Sequence, residues 1–238
     1  MKTKSKIRVA VIIPAYNEGS VIKKVVADLY SGFKKSGYSY DIIVINDGSK
    51  DNTKEEARAG GAFVIDHILN SGSGGATATG LSYAQQNNYD IATTSDADGQ
   101  HDPKDVINGV DIILKQNSDL LIGSRLIDTS GMSKVKILGN KGLSFITMLL
   151  FGVRVTDSQS GLRIFSKKAL SQLKWKTSGY EFCSEMLWRA KQMSLTVSEY
   201  SIKAIYTEYS EKKGQNNWNA FNIVKTLVTR RLVELFSE

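Results

Sequence analysis

The 238-residue sequence is short of the devices that staple small or secreted proteins. It has a single cysteine, Cys183, so no internal disulfide and no thiolate zinc cluster can form, and a reducing compartment suits it. Long apolar runs are missing as well. The longest uncharged, apolar-rich stretch, Gly142 to Val153, is well short of the roughly 20 residues that a membrane-spanning helix needs. The basic start, Met1 to Arg8, passes straight into strand-like sequence without the apolar segment and cleavage site of a secretory signal, so residence in the cytoplasm is expected. There is no internal repeat, low-complexity tract or linker. What remains is an ordinary soluble balance, 41% hydrophobic and 23% charged residues, which excludes disorder, collagen and a disulfide scaffold. The 31 basic residues exceed the 24 acidic ones by seven, and that net charge of +7 favours an anionic partner: nucleic acid, a phosphorylated metabolite or an anionic membrane surface.

Short apolar runs alternate with helical spacing in the first half, the pattern of βαβ units on a mostly parallel sheet. Strands are expected at Ile7 to Ile13, Tyr40 to Ile45, Ala62 to Ile65, Ile91 to Thr94 and Leu120 to Ile122. Val21, Ile22, Val25, Val26, Leu29 and Phe33 recur at helical spacing, and Ala76 to Ala84 reads as a small-residue helix able to approach the sheet closely. Proline stands only at 14 and 103, each at the carboxyl side of an expected strand, and Pro103 suits the first turn of a helix through Val106, Val110 and Leu114. Beyond Arg125 the alternation stops. A helix near Cys183 to Met193, a strand near Leu195 to Ile202 and a basic C-terminal helix with Trp218, Phe221, Val224, Val228, Leu232, Leu235 and Phe236 at three-to-four spacing complete the expectation. The simplest partition is one α/β domain, residues 1–210, followed by a basic amphipathic helix, 211–238.

The sharpest chemical feature is Ser95-Asp96-Ala97-Asp98-Gly99-Gln100-His101-Asp102-Pro103, directly after a strand. Asp96 and Asp98 leave the strand end two residues apart, and Gly99 permits a tight turn that brings Gln100 to the same place. Two carboxylates and an amide oxygen suit a hard cation, Mg²⁺ or Mn²⁺, shared with substrate phosphates. The competing reading is an acidic turn that caps the next helix, and His101 is expected to make a turn hydrogen bond. Pro14-Ala15-Tyr16-Asn17-Glu18 and Asn46-Asp47-Gly48-Ser49 end the first two strands, so a parallel sheet would bring all three loops to one crevice. Tyr16 could stack on a base and Asp47 accept hydrogen bonds from base or ribose, although Asn46 to Ser49 alone also reads as a plain turn with a helix cap. The stretch Asn70-Ser71-Gly72-Ser73-Gly74-Gly75 lacks the ending of a P-loop and reads as a flexible glycine loop beside the cleft.

Val11 to Glu18, Ile45 to Ser49, Asp96 to Pro103, Gly123-Ser124-Arg125 and Asp157-Ser158-Gln159-Ser160-Gly161-Leu162-Arg163, in this order, resemble the family 2 glycosyltransferases of the GT-A fold. More narrowly they are similar to polyprenyl-phosphate glycosyltransferases related to dolichyl-phosphate mannose synthase, over about residues 7 to 206. The resemblance implies an α/β GT-A nucleotide-binding sandwich and sugar transfer with inversion. It implies that Pro14, Ala15, Tyr16, Glu18, Ile45 and Asp47 hold the nucleotide, and that Asp96, Asp98 and Gln100 hold Mg²⁺ or Mn²⁺ on the diphosphate. Arg125 would meet phosphate charge, and the motif from Asp157 to Arg163 would lie by the acceptor. Two departures stand out. Asn46 replaces the first of two acidic residues in the second motif, and Tyr209 to Asn216 lacks the arginine followed by a Gly-x-Ser-Lys loop, leaving Lys212 or Lys213 to supply a closing charge.

The expected donor is a UDP- or GDP-sugar and the expected acceptor a polyprenyl phosphate such as undecaprenyl phosphate, reached from the cytoplasmic membrane face. Asp157 would position the acceptor, with Arg125, Lys136, Lys141, Arg154, Arg163, Lys212 or Lys213 as candidates for clamping phosphate; Lys136, Lys141 and Arg154 also read as solvated surface. Gly142 to Val153 and the C-terminal helix are candidates for a membrane surface or a small membrane-protein partner, or for burial against the domain. A homo-oligomer is compatible with the sequence, and no nucleic-acid recognition motif is present. The alternatives are elongation of a glycan on a sugar hydroxyl, which would need a base near Asp157, Glu181 or Glu185, and a non-catalytic nucleotide-sugar-binding subunit.

Overall fold

The computed structural model describes residues 6–207, 209 and 217–235. Its first strand, β1 (Arg8–Ala15), buries every side chain from Val9 to Ile13, as a strand covered on both faces must. Period-two alternation divides them: Val9, Val11 and Ile13 enter one core, Ala10 and Ile12 the other. Complete burial of each large side chain contributes about 1.5–3 kcal/mol, which makes this strand a centre of stability.

The first core lies under α1 (Ile22–Phe33), which buries Ile22, Val26, Leu29 and Phe33, and under α4 (Pro103–Gln116), which buries Val106, Val110 and Ile113. Pro103 begins α4 as the sequence predicts, and the Asp102 carboxylate caps it by accepting from the Lys104 N–H at 2.9 Å. The opposite face carries α3 (Gly72–Gln86), and its small residues bring it in close: a Cβ on Gly80 would stand 2.3 Å from Ile12 Cγ2.

Between these lie β2 (Ser39–Asn46), α2 (Thr53–Ala59), β3 (Phe63–Asp66), β4 (Ile91–Thr94) and β5 (Leu120–Ser124). The second half adds α5 (Lys134–Phe151), β6 (Arg163–Ser166), α6 (Lys167–Gln172), α7 (Phe182–Gln192), β7 (Val197–Ser201) and α8 (Asn217–Leu235). The seven-stranded sheet runs β3-β2-β1-β4-β6-β5-β7, with β6 antiparallel to β4 and β5 and the other pairs parallel. The order reverses between β1 and β4, where a crevice opens at the carboxyl ends of the strands.

The sequence reading misses α2, β6 and α6. It also places the apolar segment 142–153 alone, whereas α5 begins at Lys134, capped by Ser133, and ends on Gly152 at φ 65°. The glycine stretch is not a flexible loop. Gly72 to Gly75 form the first turn of α3, and a Cβ on Gly74 would lie 2.6 Å from the Thr177 carbonyl oxygen, so glycine is needed for chain packing here. In α8, Ile223 and Leu227 are buried in the core that includes Leu143 and Phe151 of α5, while Val228 and Val233 are exposed. The side chains of Trp218, Phe221, Leu232, Leu235 and Phe236 lie outside the described residues, as do Lys212 and Lys213.

Candidate active site

The crevice at the switch point is a cleft of about 930 Å³. The end of β1 brings Pro14, Ala15, Tyr16 and Glu18 to it, the end of β2 brings Asp47, and the turn after β4 brings Asp96, Asp98 and Gln100. Arg125, directly after β5, closes the opposite side. Parallel strands thus gather residues far apart in sequence, as the reading from strand ends expects.

Asp96 and Asp98 are crowded carboxyls. Burial raises both, that of Asp98 to about 6; at Asp96 the attraction of Arg125 and Arg163 works against burial and against the acidic neighbours Glu18 and Asp157, while Asp98 is raised further by Asp96 and Glu18. His101 is buried and held neutral, its pKa lowered to about 4 by burial. Its Nδ1 accepts from the Asp96 N–H at 3.1 Å, which is the turn hydrogen bond expected of it. The Asp96 carboxylate rests against Gly161, where a Cβ would come within 2.2 Å of Oδ1; only a residue without a side chain fits. Nothing in the sequence pattern marks that contact, because Gly161 is distant from Asp96 along the chain.

Asp47 is more deeply engaged than a free base-binding carboxylate. Its Oδ1 accepts from the Ser71 N–H at 2.8 Å and the Ser71 hydroxyl at 2.6 Å, and its Oδ2 accepts from the Gly72 N–H at 2.9 Å. His67 Nδ1 lies 2.8 Å from Oδ1. Burial alone would raise this carboxyl; the bonds from Ser71 and His67 outweigh burial and hold it below the usual carboxylate range. Asp47 therefore caps α3 while still lining the cleft. Ile45, by contrast, sends its side chain into the core.

On the opposite side, Arg125 and Asp157 form a two-pronged ion pair, Nε to Oδ2 at 2.7 Å and Nη2 to Oδ1 at 3.0 Å, with Asp157 completely buried behind it. Burial would lower the guanidinium, but Asp157 raises it, so Arg125 stays charged. Arg163 does not reach the cleft. It is buried, and its guanidinium donates to the carbonyls of Ser158 at 2.7 Å, Cys183 at 3.0 Å and Ser160 at 3.1 Å. Lys141 and Arg154 are exposed away from the lining residues, whereas Lys136 lines the cleft with its ammonium 3.6 Å from the centre of the Tyr206 ring. Tyr180, Phe182 and Tyr206 also line it, and isolated aromatics without a motif gave the sequence reading no signal for them. The Tyr209 hydroxyl donates to Glu18 Oε2 at 2.7 Å, tying the chain after β7 to the loop after β1.

Hard oxygen donors on Asp96 and Asp98, two residues apart and crowded by like charge, fit a divalent metal, with the Gln100 amide in the same lining. Among the described residues no three His, Cys, Asp or Glu side chains form a closed metal cage.

The seven-stranded, mostly parallel sheet is that of the α/β GT-A fold. The signature described as Glycosyl transferase family 2 matches residues 10–174, and the chain belongs to that family. It is 42% identical over 244 residues to UDP-N-acetylglucosamine--dolichyl-phosphate N-acetylglucosaminyltransferase of Methanococcus voltae, covering 93% of this chain and 95% of that one. It is 27% identical over 218 residues to undecaprenyl-phosphate mannosyltransferase of Micrococcus luteus, covering 87% of each. Its fold matches glucosyl-3-phosphoglycerate synthase of Mycobacterium tuberculosis, solved with Mn²⁺, UDP and phosphoglyceric acid, at TM-score 0.70 and 22% identity over 96% of this chain and 80% of that one.

Proposed function

We propose that this glycosyltransferase moves a sugar from a nucleoside diphosphate sugar to a polyprenyl phosphate at a membrane surface. The observation that carries the reading is the division of charge in the cleft. Among its described lining residues the acidic ones, Glu18, Asp47, Asp96 and Asp98, all come from the first three loops, and the far side carries Arg125 and Lys136. Of the carboxylates that could serve a hydroxyl acceptor as base, two are otherwise engaged and the third is off the cleft lining: Asp157 grips Arg125, buried Glu185 accepts from the N–H groups of Lys176 at 3.0 Å and Thr177 at 2.8 Å, and Glu181 is not among the residues that line the cleft. Such a site suits an acceptor that arrives already ionised. A phosphate monoester, with a second pKa of about 6, is mostly a dianion at neutral pH and needs no general base. The named relatives acting on dolichyl and undecaprenyl phosphate support the same reading.

In the reaction a phosphate oxygen of the acceptor forms a bond to the anomeric carbon as the bond from that carbon to the diphosphate breaks, with inversion. Tyr16 and Asp47 hold the nucleoside; Arg125 and Lys136 hold the acceptor phosphate and orient its oxygen. Asp96, Asp98 and Gln100 would hold Mg²⁺ or Mn²⁺, which supplies charge stabilisation to the leaving diphosphate.

A face of α5 supports membrane docking. Val135, Leu138, Phe145 and Leu149 fall on one stripe and are each 57–75% exposed, with Lys134 and Lys141 along one flank and the cleft-lining Lys136, Gly139 and Leu143 along the other. No helix among the described residues is long and apolar enough to cross a membrane. The docked surface is therefore α5 lying in the headgroup plane, beside the mouth through which a lipid phosphate enters, with Ile223 and Leu227 of α8 packed behind it.

The test is transfer from labelled UDP- and GDP-sugars to undecaprenyl and dolichyl phosphates in detergent with Mg²⁺ or Mn²⁺. A metal-dependent product in the organic phase is expected. Transfer to sugar hydroxyls instead, or nucleotide-sugar binding without any transfer, would overturn the reading.

A further inference from the structure

Under the cleft floor, four buried hydroxyl side chains from α5, residue 158 and the start of α7 lie within hydrogen-bonding reach of one another: Ser144, Thr147, Ser158 and Ser184. They sit beside an apolar core that includes Leu143, Phe151 and Met186, where buried polar groups cost stability unless fully bonded. Following the protons shows what they hold. The Thr147 hydroxyl donates to the Leu143 carbonyl at 2.9 Å, the usual back-bond of a helical threonine. Thr147 Oγ1 is then an acceptor for the Ser184 hydroxyl, 2.8 Å away. With its proton spent, Ser184 Oγ can only accept, and Gln159 Nε2 donates to it at 3.1 Å. The second N–H of the same carboxamide goes to Ser158 Oγ at 3.2 Å, and Ser158 is fixed in turn by its own N–H, which donates to Ser144 Oγ at 2.9 Å.

This order of donors and acceptors determines which way the carboxamide faces. Its nitrogen is turned down into the hydroxyls, so the atom that Gln159 offers the cleft it lines is the oxygen, an acceptor. Its place in the cleft is equally defined. Gly161, two residues further on, lies against the Asp96 carboxylate, so Gln159 shares the floor with the first acidic residue of the switch-point turn.

We propose that Gln159 reads the transferred sugar: its Oε1 accepts a hydrogen bond from a hydroxyl or amide N–H on the pyranose ring of the donor. This inference rests on the nucleotide-sugar reading above and adds the residue that discriminates among sugars. A site built to accept a hydrogen bond rejects a sugar lacking the donor, because the oriented oxygen is then left unpaired.

The experiment is calorimetric binding, with Mn²⁺ and without acceptor, of UDP, GDP, their sugar conjugates and deoxy or deacetamido analogues of the sugar that binds most tightly. Wild type is compared with Gln159→Met, which keeps the length and removes the oxygen. Gln159→Met is expected to weaken the intact nucleotide sugar by roughly 3- to 10-fold while leaving the nucleoside diphosphate unchanged. One analogue, lacking the group that Oε1 contacts, is expected to bind both proteins equally, and whether that group is a hydroxyl or an acetamide identifies the donor. Equal weakening of every analogue, or of the nucleoside diphosphate as well, would reduce Gln159 to a structural role and overturn the proposal. Should Gln159→Met not fold, Ser184→Ala removes one of the two anchors and carries the same comparison, with a smaller difference expected. A wild-type protein that binds no nucleotide sugar would instead sink the underlying reading, so the two failures are distinct.

Discussion

The two walls of the cleft achieve their geometry by opposite means. Residues 14–102 deliver their groups at the ends of parallel strands: strand position brings Tyr16, Asp47, Asp96 and Asp98 together, Asp47 alone of the four being gripped by Ser71, Gly72 and His67, and the two carboxylates after β4 are left crowded by like charge. Residues 125–206 deliver theirs through buried polar pairing: Asp157 aims Arg125, Arg163 ties three carbonyls, and four hydroxyls aim Gln159. The first wall spends stability on carboxyls that burial and like charge raise. The second draws stability from the same polar groups that set its geometry.

The largest effects should therefore separate activity from stability in opposite directions. Asp98→Asn is expected to lower sugar transfer by about 10³-fold, the scale of losing several kcal/mol of charge stabilisation. Because it also removes a like charge beside Asp96, urea unfolding should show the variant at least as stable as wild type. Unchanged transfer in the purified protein would remove the metal site from the mechanism. On the other wall, Asp157→Asn should cost stability as well as transfer. It leaves the Arg125 guanidinium without its charged partner, a change worth about 3 kcal/mol when a buried pair is broken. A variant of wild-type stability would show that Arg125 is held by something other than this pair.

That contrast also explains what the sequence made legible. Strands β1, β2 and β4 and the three loops after them follow from local pattern, since apolar runs bounded by turn residues need little beyond neighbours in the chain. β6 was unreadable because Arg163 to Ser166 is short, starts with a charged residue and is a strand only through antiparallel pairing with β4 and β5. α5 was not read as a helix: Gly142 to Val153 stood out only as an apolar segment, and Lys134 to Lys141 buries no side chain that would mark it, so its helical start shows only in the Ser133 cap. Motif resemblance brought Arg163 in as a phosphate ligand, but motifs do not say which way a side chain faces. Here it faces inward, because the carbonyls of Ser158, Ser160 and Cys183 would otherwise lack these partners. Asp47 shows another limit: the sequence offers a plain turn with a cap at Ser49 or Asp51, or a carboxylate facing the cleft, whereas Asp47 lines the cleft and also accepts from Ser71 and Gly72 at the distant start of α3, a pairing no local pattern displays.

A smaller effect tests the surface between the walls and the membrane. Leu138→Ser with Leu149→Ser removes two exposed apolar side chains from the α5 stripe without touching the cleft lining. Losing about 1.5–3 kcal/mol of burial for each leucine predicts at least a tenfold loss in co-sedimentation with anionic phospholipid vesicles. Transfer to a short-chain, water-soluble prenyl phosphate should be retained. If vesicle binding persists, another face meets the membrane; if soluble-acceptor activity falls equally, the stripe belongs to the fold.

The smallest expected effect lies at the base of the second wall and concerns pH. Asp119, before β5, accepts from the Thr196 N–H at 2.9 Å, Lys168 Nζ at 3.0 Å and the Ser166 hydroxyl at 3.3 Å, pinning β5, β6 and β7 together. Burial alone would raise its carboxyl, but the Thr196 N–H and Lys168 hold it below its ordinary value. A carboxyl depressed in the folded state adds stability that is complete above its unfolded pKa of about 3.9 and is lost as pH falls through the lower folded value. Asp119→Asn should cost about 1 kcal/mol at neutral pH and flatten the acid limb of a stability profile, while the activity of the remaining folded protein is unchanged. A variant whose acid limb matches wild type would mean that carboxylates other than Asp119 carry the pH dependence of its stability.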